Sequence, residues 1–236
     1  MGSMTAILTP NHFFTLEGYS HASLFEGCQY PWQALGQLKN YLTSLELGKI
    51  EVDIPSTVYL VRPELISIGV GSVIEPGAYI EGPCAIGKNC TIRHGAYIRG
   101  DVITGDSCVI GHDTEVKHAI FFNGASAAHF NYVGDSILGN KVNLGAGVKC
   151  ANLRLDHQPI HVFIQNERIS TGLHKLGAII GDGAQVGCNC VINPGTILGR
   201  YSFCFPCLNI YGFIPENGKV KPAMKNIVES DLANID

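Results

Sequence analysis

Residues 68–98 read IGVGSVIEPGAYIEGPCAIGKNCTIRHGAYI, and an isoleucine stands at every sixth position of this stretch. A period of six matches neither the 3.6 residues of a helical turn nor the alternation of a hairpin strand. It is typical of a parallel β-helix, in which short strands alternate with tight corners. We expect each isoleucine to point into a narrow interior, with a small residue two positions earlier filling the space beside the corner. Glycine often follows the isoleucine and permits the turn.

The repeat continues well beyond this stretch. After residue 98 the phase skips at Thr104 and resumes at Ile110, Val116 and Phe122. A second run follows after a phase slip, at Leu138, Leu144, Ile180, Val186, Ile192 and Leu198. We therefore predict an all-β chain in which each coil is built from consecutive hexads.

Composition supports this prediction and excludes several classes of protein. Charged residues make up 15% of the 236 positions, against about 25% in ordinary globular proteins, and 28 positions are glycine. A hydrophobic fraction of 46% argues against disorder, and a net charge of -4 argues against non-specific nucleic-acid binding. No apolar run approaches the roughly 20 residues of a membrane span. We expect a cytoplasmic protein without a membrane or nucleic-acid partner.

Nine cysteines require a separate explanation. In the cytosol they are expected to be thiols rather than disulfides. Cys188 and Cys190 form a C-x-C pair and Cys204 and Cys207 a C-x-x-C pair, so zinc has to be considered. The small interior position of the hexad holds Cys84, Cys90, Cys108 and Cys190. We therefore interpret most of the cysteines as buried structural thiols.

The chain divides around the repeat. Residues 1–58 lack the hexad and form an N-terminal segment, of which residues 1–4 have the character of a tag remnant. We assign residues 59–211 to the β-helix, with a polar loop inserted at 151–176. Residues 212–236 are predicted to be a short C-terminal extension.

One helix is predicted in the N-terminal segment. Apolar residues follow Pro31 at helical spacing, namely Trp32, Leu35, Leu38, Leu42 and Leu45. A β-helix has open strand edges at its ends. We therefore expect this amphipathic helix to cap an end of the β-helix or to pack on a neighbouring subunit.

Two cations are conspicuous because charges are scarce. Arg99 and Lys117 both follow an aliphatic residue and are one predicted coil apart. Their backbones should then lie about 4.8 Å apart on adjacent coils. Two cations so close repel unless an anion joins them, and a phosphate would suit because arginine binds it bidentately. Alternatively, both side chains extend into water or pair with Glu115 and Asp101.

Four blocks carry a resemblance to a known family: residues 110–119 (IGHDTEVKHA), 127–135 (AAHFNYVGD), 141–147 (KVNLGAG) and 150–152 (CAN). They resemble the acetyltransferase domain of bifunctional N-acetylglucosamine-1-phosphate uridyltransferase / glucosamine-1-phosphate acetyltransferase. Residues 110–147 align without a gap, and a looser resemblance runs from about 65 to 200. The resemblance implies a left-handed parallel β-helix, the hexapeptide-repeat fold, with 18 residues in each triangular coil.

The same resemblance implies roles for individual residues. His129 matches the general base that deprotonates the sugar amine for attack on the thioester of acetyl-CoA, a task suited to a group that titrates near neutral pH. The implied substrate-binding residues are Arg99 and Lys117 at the sugar phosphate, Tyr132 and Asn143 at the sugar, and Asn152 beside the reacting amine. The implied acetyl-CoA-binding residues are Ala146, whose N–H meets the thioester oxygen, and Cys188, near the pantetheine.

Some positions depart from the family pattern. Leu153 replaces a tyrosine, and the family's sugar-binding lysine has no clean counterpart in the longer insertion. Arg154 or Lys175 could replace it, and the sequence does not choose between them. The nucleotidyltransferase domain is not recognisable, so a separate enzyme would add the uridylyl group.

The resemblance implies an acetyl-CoA-dependent N-acetyltransferase acting on an amino-sugar phosphate. Glucosamine 1-phosphate is the first expectation, in the biosynthesis of UDP-N-acetylglucosamine for the cell wall. No metal is expected for the acetyl transfer. Members of the family are trimers with sites between subunits, so we expect a homotrimer.

Three alternatives use the same fold. Arg99-Gly-Asp101 resembles γ-class carbonic anhydrases, but His112 and His118 are not spaced like that family's zinc ligands. An acyl-carrier-protein-dependent acyltransferase of lipid A type would share the histidine base and take a long acyl chain. A non-catalytic scaffold would use the β-helix only for assembly.

Overall fold

The computed structural model describes residues 8–164 and 167–223. Within these residues, three parallel sheets of eight strands each form the faces of a triangular prism, which is the predicted left-handed parallel β-helix. Sheet 1 contains β1 (Tyr59–Val61), β4 (Tyr79–Glu81), β7 (Tyr97–Arg99), β10 (Glu115–Lys117), β13 (Tyr132–Gly134), β16 (Lys149–Cys150), β21 (Val191–Ile192) and β24 (Asn209–Ile210).

Successive strands of the prism fall in sheet 1, sheet 2 and sheet 3 in turn. Sheet 2 contains β2 (Ile66–Ile68), β5 (Cys84–Ile86), β8 (Val102–Thr104), β11 (Ala119–Phe121), β14 (Ile137–Leu138), β19 (Ala178–Ile180), β22 (Thr196–Leu198) and β25 (Phe213–Ile214). Sheet 3 contains β3 (Val73–Ile74), β6 (Thr91–Ile92), β9 (Val109–His112), β12 (Ser126–His129), β15 (Asn143–Leu144), β20 (Gln185–Val186), β23 (Phe203–Cys204) and β26 (Lys219–Val220).

The interior of the prism is built as the hexads predict. Ile80 pairs with Ile98, and Ile98 with Val116, so identical positions of successive coils stack in register. Six of the cysteines belong to this buried core, namely Cys84, Cys90, Cys108, Cys150, Cys190 and Cys204. All nine cysteines are free thiols.

The phase slip lies earlier than the sequence indicated, and the prediction that Phe122 faces the interior is wrong. Phe121 instead pairs with Thr104 and Leu138 and points inward. The cause is the corner at Lys117 and His118, which is one residue shorter than the corner on the preceding coil. Residues paired between adjacent coils are 18 positions apart before this corner and 17 positions apart after it. The shift turns Phe122 outward.

The N-terminal segment covers the outer face of sheet 2. It contains α1 (Pro10–Phe13), a 3₁₀ turn (Ala22–Phe25) and α2 (Trp32–Ser44), the predicted amphipathic helix. The middle residues of sheet 2, such as Ile103 and Ile120, form one buried cluster with this segment. The helix therefore lies on the flank of the prism, and the expectation that it caps an open end is wrong. The reason is that sheet 2 has an apolar outer face, which must be buried.

A buried carboxylate attaches this segment to the prism. Asp182 is 5% exposed, and its Oδ2 accepts a hydrogen bond from the Thr15 N–H at 2.7 Å. Its Oδ1 accepts from the backbone N–H of Asn140 at 2.7 Å, and Arg200 approaches Oδ2 at 3.3 Å. The N-terminal segment is thus held by charge as well as by apolar packing.

The insertion packs against the prism, and part of the predicted tail extends it. The insertion carries an antiparallel hairpin, β17 (His161–Ile164) and β18 (Glu167–Ser170), whose apolar residues join the cluster over sheet 2. Beyond residue 211, β25 and β26 continue the coils to Val220. The remainder of the predicted extension, residues 224–236, lies outside the described residues. No helix in the described part of the chain is long and apolar enough to cross a bilayer.

Candidate active site

The corner between sheets 3 and 1 carries three of the predicted site residues. His129, Ala146 and Cys188 occupy the same corner position on three consecutive coils. The coils are joined there by backbone hydrogen bonds, from Gly147 N–H to the His129 carbonyl at 3.0 Å and from Asn189 N–H to the Ala146 carbonyl at 2.8 Å. We call this line of residues the His129 corner.

The backbone at His129 is held firmly while its ring is open. Asn131, which is 2% exposed, accepts a hydrogen bond from the His129 N–H at 3.1 Å and donates to the Gly145 carbonyl at 2.7 Å. The His129 side chain is exposed, and its ring has no hydrogen-bond partner within residues 8–164 and 167–223. The imidazole is therefore accessible from solvent.

Two further histidines extend the same corner on the preceding coils. His112 is in register with His129, and its ring stacks on that of His94 at 5.6 Å between centroids with an interplanar angle of 13°. The Nδ1 of His94 lies 2.7 Å from the Pro76 carbonyl, and that of His112 lies 3.0 Å from the His94 carbonyl. These contacts give His94 and His112 a structural role in the corner.

The predicted phosphate-binding cations lie at the far edge of sheet 1. Arg99 and Lys117 follow each other on adjacent coils at the ends of β7 and β10. The Arg99 guanidinium pairs with Glu115 at 2.6 Å, one of the two outcomes left open by the sequence, and this hydrogen bond raises the pKa of Arg99. Both side chains are about a third exposed, at 39% and 34%, so an incoming anion can exchange for Glu115.

Asn152 and His118 are joined by a buried aspartate, Asp135, that the sequence analysis missed. Asp135 accepts from Asn152 Nδ2 at 2.5 Å through Oδ2 and lies 2.9 Å from His118 Nδ1 through Oδ1. Burial opposes ionisation of Asp135, but the hydrogen bonds from His118 and Asn152 outweigh it and hold its pKa below the usual value. Asp135 stands in the Gly-Asp of residues 134–135, so the motif contained the signal.

The position of Asn152 follows from this network. A carboxylate can only accept hydrogen bonds, so the Asn152 amide turns its NH₂ toward Asp135. Its side chain also lies close to the hydroxyl of Tyr132, whose pKa is raised by burial and by the nearby charges of Glu115 and Asp135. The amide is therefore ordered at the edge of sheet 1, beside the ring of Tyr132.

Asn143 is the one predicted substrate residue on a different face. It lies on the outer side of sheet 3, in register with Ser126 and Gln185. Tyr132 lies on sheet 1, around the His129 corner. Within one chain, the fold does not bring Asn143 together with Tyr132 and Asn152.

The two candidates for the missing lysine lie in the insertion. Arg154 forms a two-point ion pair with Asp156, at 2.8 and 2.5 Å. Lys175 is exposed, and its backbone forms an isolated antiparallel β-bridge with that of Leu153 at the base of the loop. Neither contact involves Tyr132 or Asn152.

The described residues do not form a ligand set for a metal ion. The described part of the chain contains no group of three or more histidine, cysteine, aspartate or glutamate side chains placed to hold a metal ion. His112 and His118 lie at opposite edges of sheet 1, so they cannot share an ion within one chain. In the C-x-x-C pair, Cys204 is buried in the prism whereas Cys207 is exposed at a corner.

This chain is similar to a known domain family and to several known proteins. Residues 80–199, about half of the chain, match the family model of the GMPPB C-terminal domain. A bifunctional sugar-1-phosphate nucleotidylyltransferase/acetyltransferase of Sulfurisphaera tokodaii is 42% identical over 92 residues, covering 39% of this chain and 23% of the relative. The bifunctional protein GlmU of Methanococcus maripaludis is 32% identical over 191 residues, covering 81% and 44%. This chain thus spans less than half the length of either relative.

Two other similar proteins are closer in extent. The putative uncharacterized acetyltransferase YaiX of Escherichia coli is 37% identical over 164 residues, covering 69% of this chain and 70% of the relative. Among solved structures, the UDP-N-acetylglucosamine acyltransferase from Campylobacter jejuni has a TM-score of 0.42 and 17% identity, covering 71% of this chain and 69% of that one.

Proposed function

This chain belongs to the GMPPB C-terminal domain family, and from that premise we propose that it is an acetyl-CoA-dependent N-acetyltransferase acting on an amino-sugar phosphate. Glucosamine 1-phosphate is the proposed first substrate and N-acetylglucosamine 1-phosphate its product. The observation that supports this most is the His129 corner, which lines up His129, Ala146 and Cys188 beside a sheet face carrying two cations. The proposed compartment is the cytoplasm.

The chemistry of the proposal is a direct acyl transfer. The imidazole of His129 takes a proton from the sugar amine as the amine nitrogen attacks the thioester carbonyl. The backbone N–H of Ala146 donates to the oxyanion that forms. The C–S bond then breaks, and the leaving thiolate of coenzyme A takes the proton from His129. Cys188, one coil further along the corner, is the proposed contact of the pantetheine arm. The reaction needs no metal ion.

The acceptor is proposed to lie on sheet 1. Its phosphate would bind Lys117 and take Arg99 from Glu115. The sugar would rest on Tyr132, and Asn152 would present its carbonyl oxygen to the amine, because Asp135 holds the NH₂ side of that amide. The amine would then point along the face toward His129.

A thiol-release assay tests the reaction. The protein is incubated with acetyl-CoA and a panel of amino sugars with and without phosphate, and free coenzyme A is measured. We expect turnover with hexosamine phosphates and little with the unphosphorylated sugars. Absence of turnover with every phosphorylated hexosamine would refute the proposed substrate class.

Lys117→Ala is expected to raise the KM for glucosamine 1-phosphate by about 10- to 150-fold. The reason is that one hydrogen bond to a charged group contributes about 1.5–3 kcal/mol. The KM for unphosphorylated glucosamine should not change. Lys88→Ala removes an exposed lysine at a different corner and is the matched control. Equal KM values for Lys117→Ala and the control would rule out the phosphate contact.

A homotrimer would complete the site with Asn143. In the described part of the chain, the outer faces of sheets 1 and 3 carry exposed or half-buried side chains, whereas sheet 2 is buried under the N-terminal segment. We expect light scattering to give three times the mass of the chain. In trimers reassembled from equal amounts of inactive His129→Gln and Asn143→Ala chains, about a quarter of the sites would contain both native residues if they come from neighbouring subunits. No recovered activity would place Asn143 outside a shared site.

A further inference from the structure

A groove of about 640 Å³ lies at the distal part of sheet 1, under the inserted loop. We call it the loop groove; it is lined by Ala151, Leu153, Arg154, Leu155, Asp156, Asn193, Pro194, Asn209 and Tyr211. Its volume is within the range of about 300–1,000 Å³ usual for small-molecule sites. None of its residues has a part in the acetyl transfer described above.

The groove continues the proposed acceptor face. Its floor lies at the carboxyl ends of β16, β21 and β24, which follow β13 in sheet 1. Tyr132 is in register with Lys149, and Lys149 with Val191, so each step is one coil of about 4.8 Å. Ala151, at the mouth of the groove, directly precedes Asn152. A ligand that rests on Tyr132 and Asn152 can therefore extend into the groove without leaving the sheet.

The far end of the groove has the chemistry that recognises a flat, hydrogen-bonding ring. Tyr211 is 74% exposed and offers its ring face. Beside it, Asn193 Nδ2 donates to Asn209 Oδ1 at 2.5 Å and to the Ile210 carbonyl at 2.9 Å. The Oδ1 of Asn193 and the Nδ2 of Asn209 are left as an adjacent acceptor and donor. An aromatic face next to such a pair is the combination that proteins use for a nucleobase.

The lining of the groove includes one cation, Arg154. Its guanidinium donates to Asp156 through Nε and one terminal nitrogen, so the other terminal nitrogen stays available. Phosphate oxygens placed beside Arg154 would meet an unused charged donor.

We propose that the loop groove binds the nucleoside diphosphate part of an activated amino sugar. The base stacks on Tyr211, the diphosphate lies by Arg154, and the sugar rests on Tyr132 and Asn152. This inference rests on the proposed function for the direction in which the amine points, and it names a larger acceptor than a sugar 1-phosphate. In this orientation Arg99 retains its ion pair with Glu115.

Calorimetry with UDP and GDP tests the groove without any turnover. We expect at least one of them to bind the wild-type chain, and Tyr211→Ala to weaken that binding about tenfold or more through lost stacking. Arg154→Ala should weaken it as well and reduce its dependence on salt. Tyr201→Ala removes another exposed tyrosine, 58% exposed and outside the groove, and should not alter the affinity. Orthophosphate should not compete at equal concentration.

Two results would overturn the inference. One is that neither nucleotide binds the wild-type chain, as when a second copy of the chain fills the groove. The other is that Tyr211→Ala and Tyr201→Ala bind equally well, with both variants folded by circular dichroism. The thiol-release assay separates this failure from failure of the proposed function. Wild-type turnover of glucosamine 1-phosphate without nucleotide binding refutes only the groove, and nucleotide binding without any thiol release refutes only the acetyl transfer.

Discussion

Replacement of His129 by glutamine is expected to lower kcat for acetyl transfer by about 10²- to 10⁴-fold, the usual contribution of a positioned general base. Glutamine keeps a polar side chain of similar reach but cannot take a proton from the amine. The His129 backbone is held by Asn131 and Gly147, so the variant should keep the corner intact. Steady-state thiol release at saturating acetyl-CoA measures the effect.

His112→Gln is the matched control for this prediction. His112 occupies the same corner one coil earlier and is in register with His129, but it has no place in the proposed chemistry. We expect its kcat to stay within about twofold of wild type, as for a surface change away from the reaction. Similar losses in the two variants would show that the corner, and not the base, had been damaged.

Phe122→Ala is expected to lower the free energy of unfolding by about 3–5 kcal/mol, the usual cost of removing a buried phenylalanine side chain. Phe122 is fully buried and stacks on Tyr19 at 4.1 Å and on Phe14 at 4.7 Å between ring centroids. Its loss would leave a cavity between sheet 2 and the N-terminal segment. Urea denaturation followed by circular dichroism measures the change.

Phe163→Ala provides the comparison for stability. Phe163 also belongs to the covering layer, in the hairpin, but its side chain is 53% exposed. We expect its effect to remain within about 0.5 kcal/mol, as for most surface substitutions. A loss for Phe122→Ala no larger than for Phe163→Ala would mean that the N-terminal segment adds little to the stability of the prism.

Features set by local interactions were predictable from the sequence, whereas those set by contacts between coils were not. The interior was predictable because every coil repeats one local demand, an aliphatic residue facing inward and a small one beside the corner. Phe121 and Phe122 could not be distinguished, since both are apolar. Only the shortened corner at Lys117 and His118 determines which of them faces the interior.

The candidate site shows the same division. The motif blocks were sufficient to name His129, Tyr132 and Asn152 as candidates. They did not predict that Glu115 pairs with Arg99 or that Asp135 orders the Asn152 amide. These partners are 16 or 17 residues apart in the chain, and they meet only because one coil brings them to the same edge.

The sequence by itself determined the β-helix, since a six-residue period of apolar and small residues has one economical way to bury its aliphatic side chains. It also singled out the rare cations Arg99 and Lys117 as candidate site residues. The tertiary structure alone decided which face is covered by the N-terminal segment, because the outer side of sheet 2 is the apolar one that packs against it. It also decided where the insertion lies, and hence that the acceptor face continues into the loop groove.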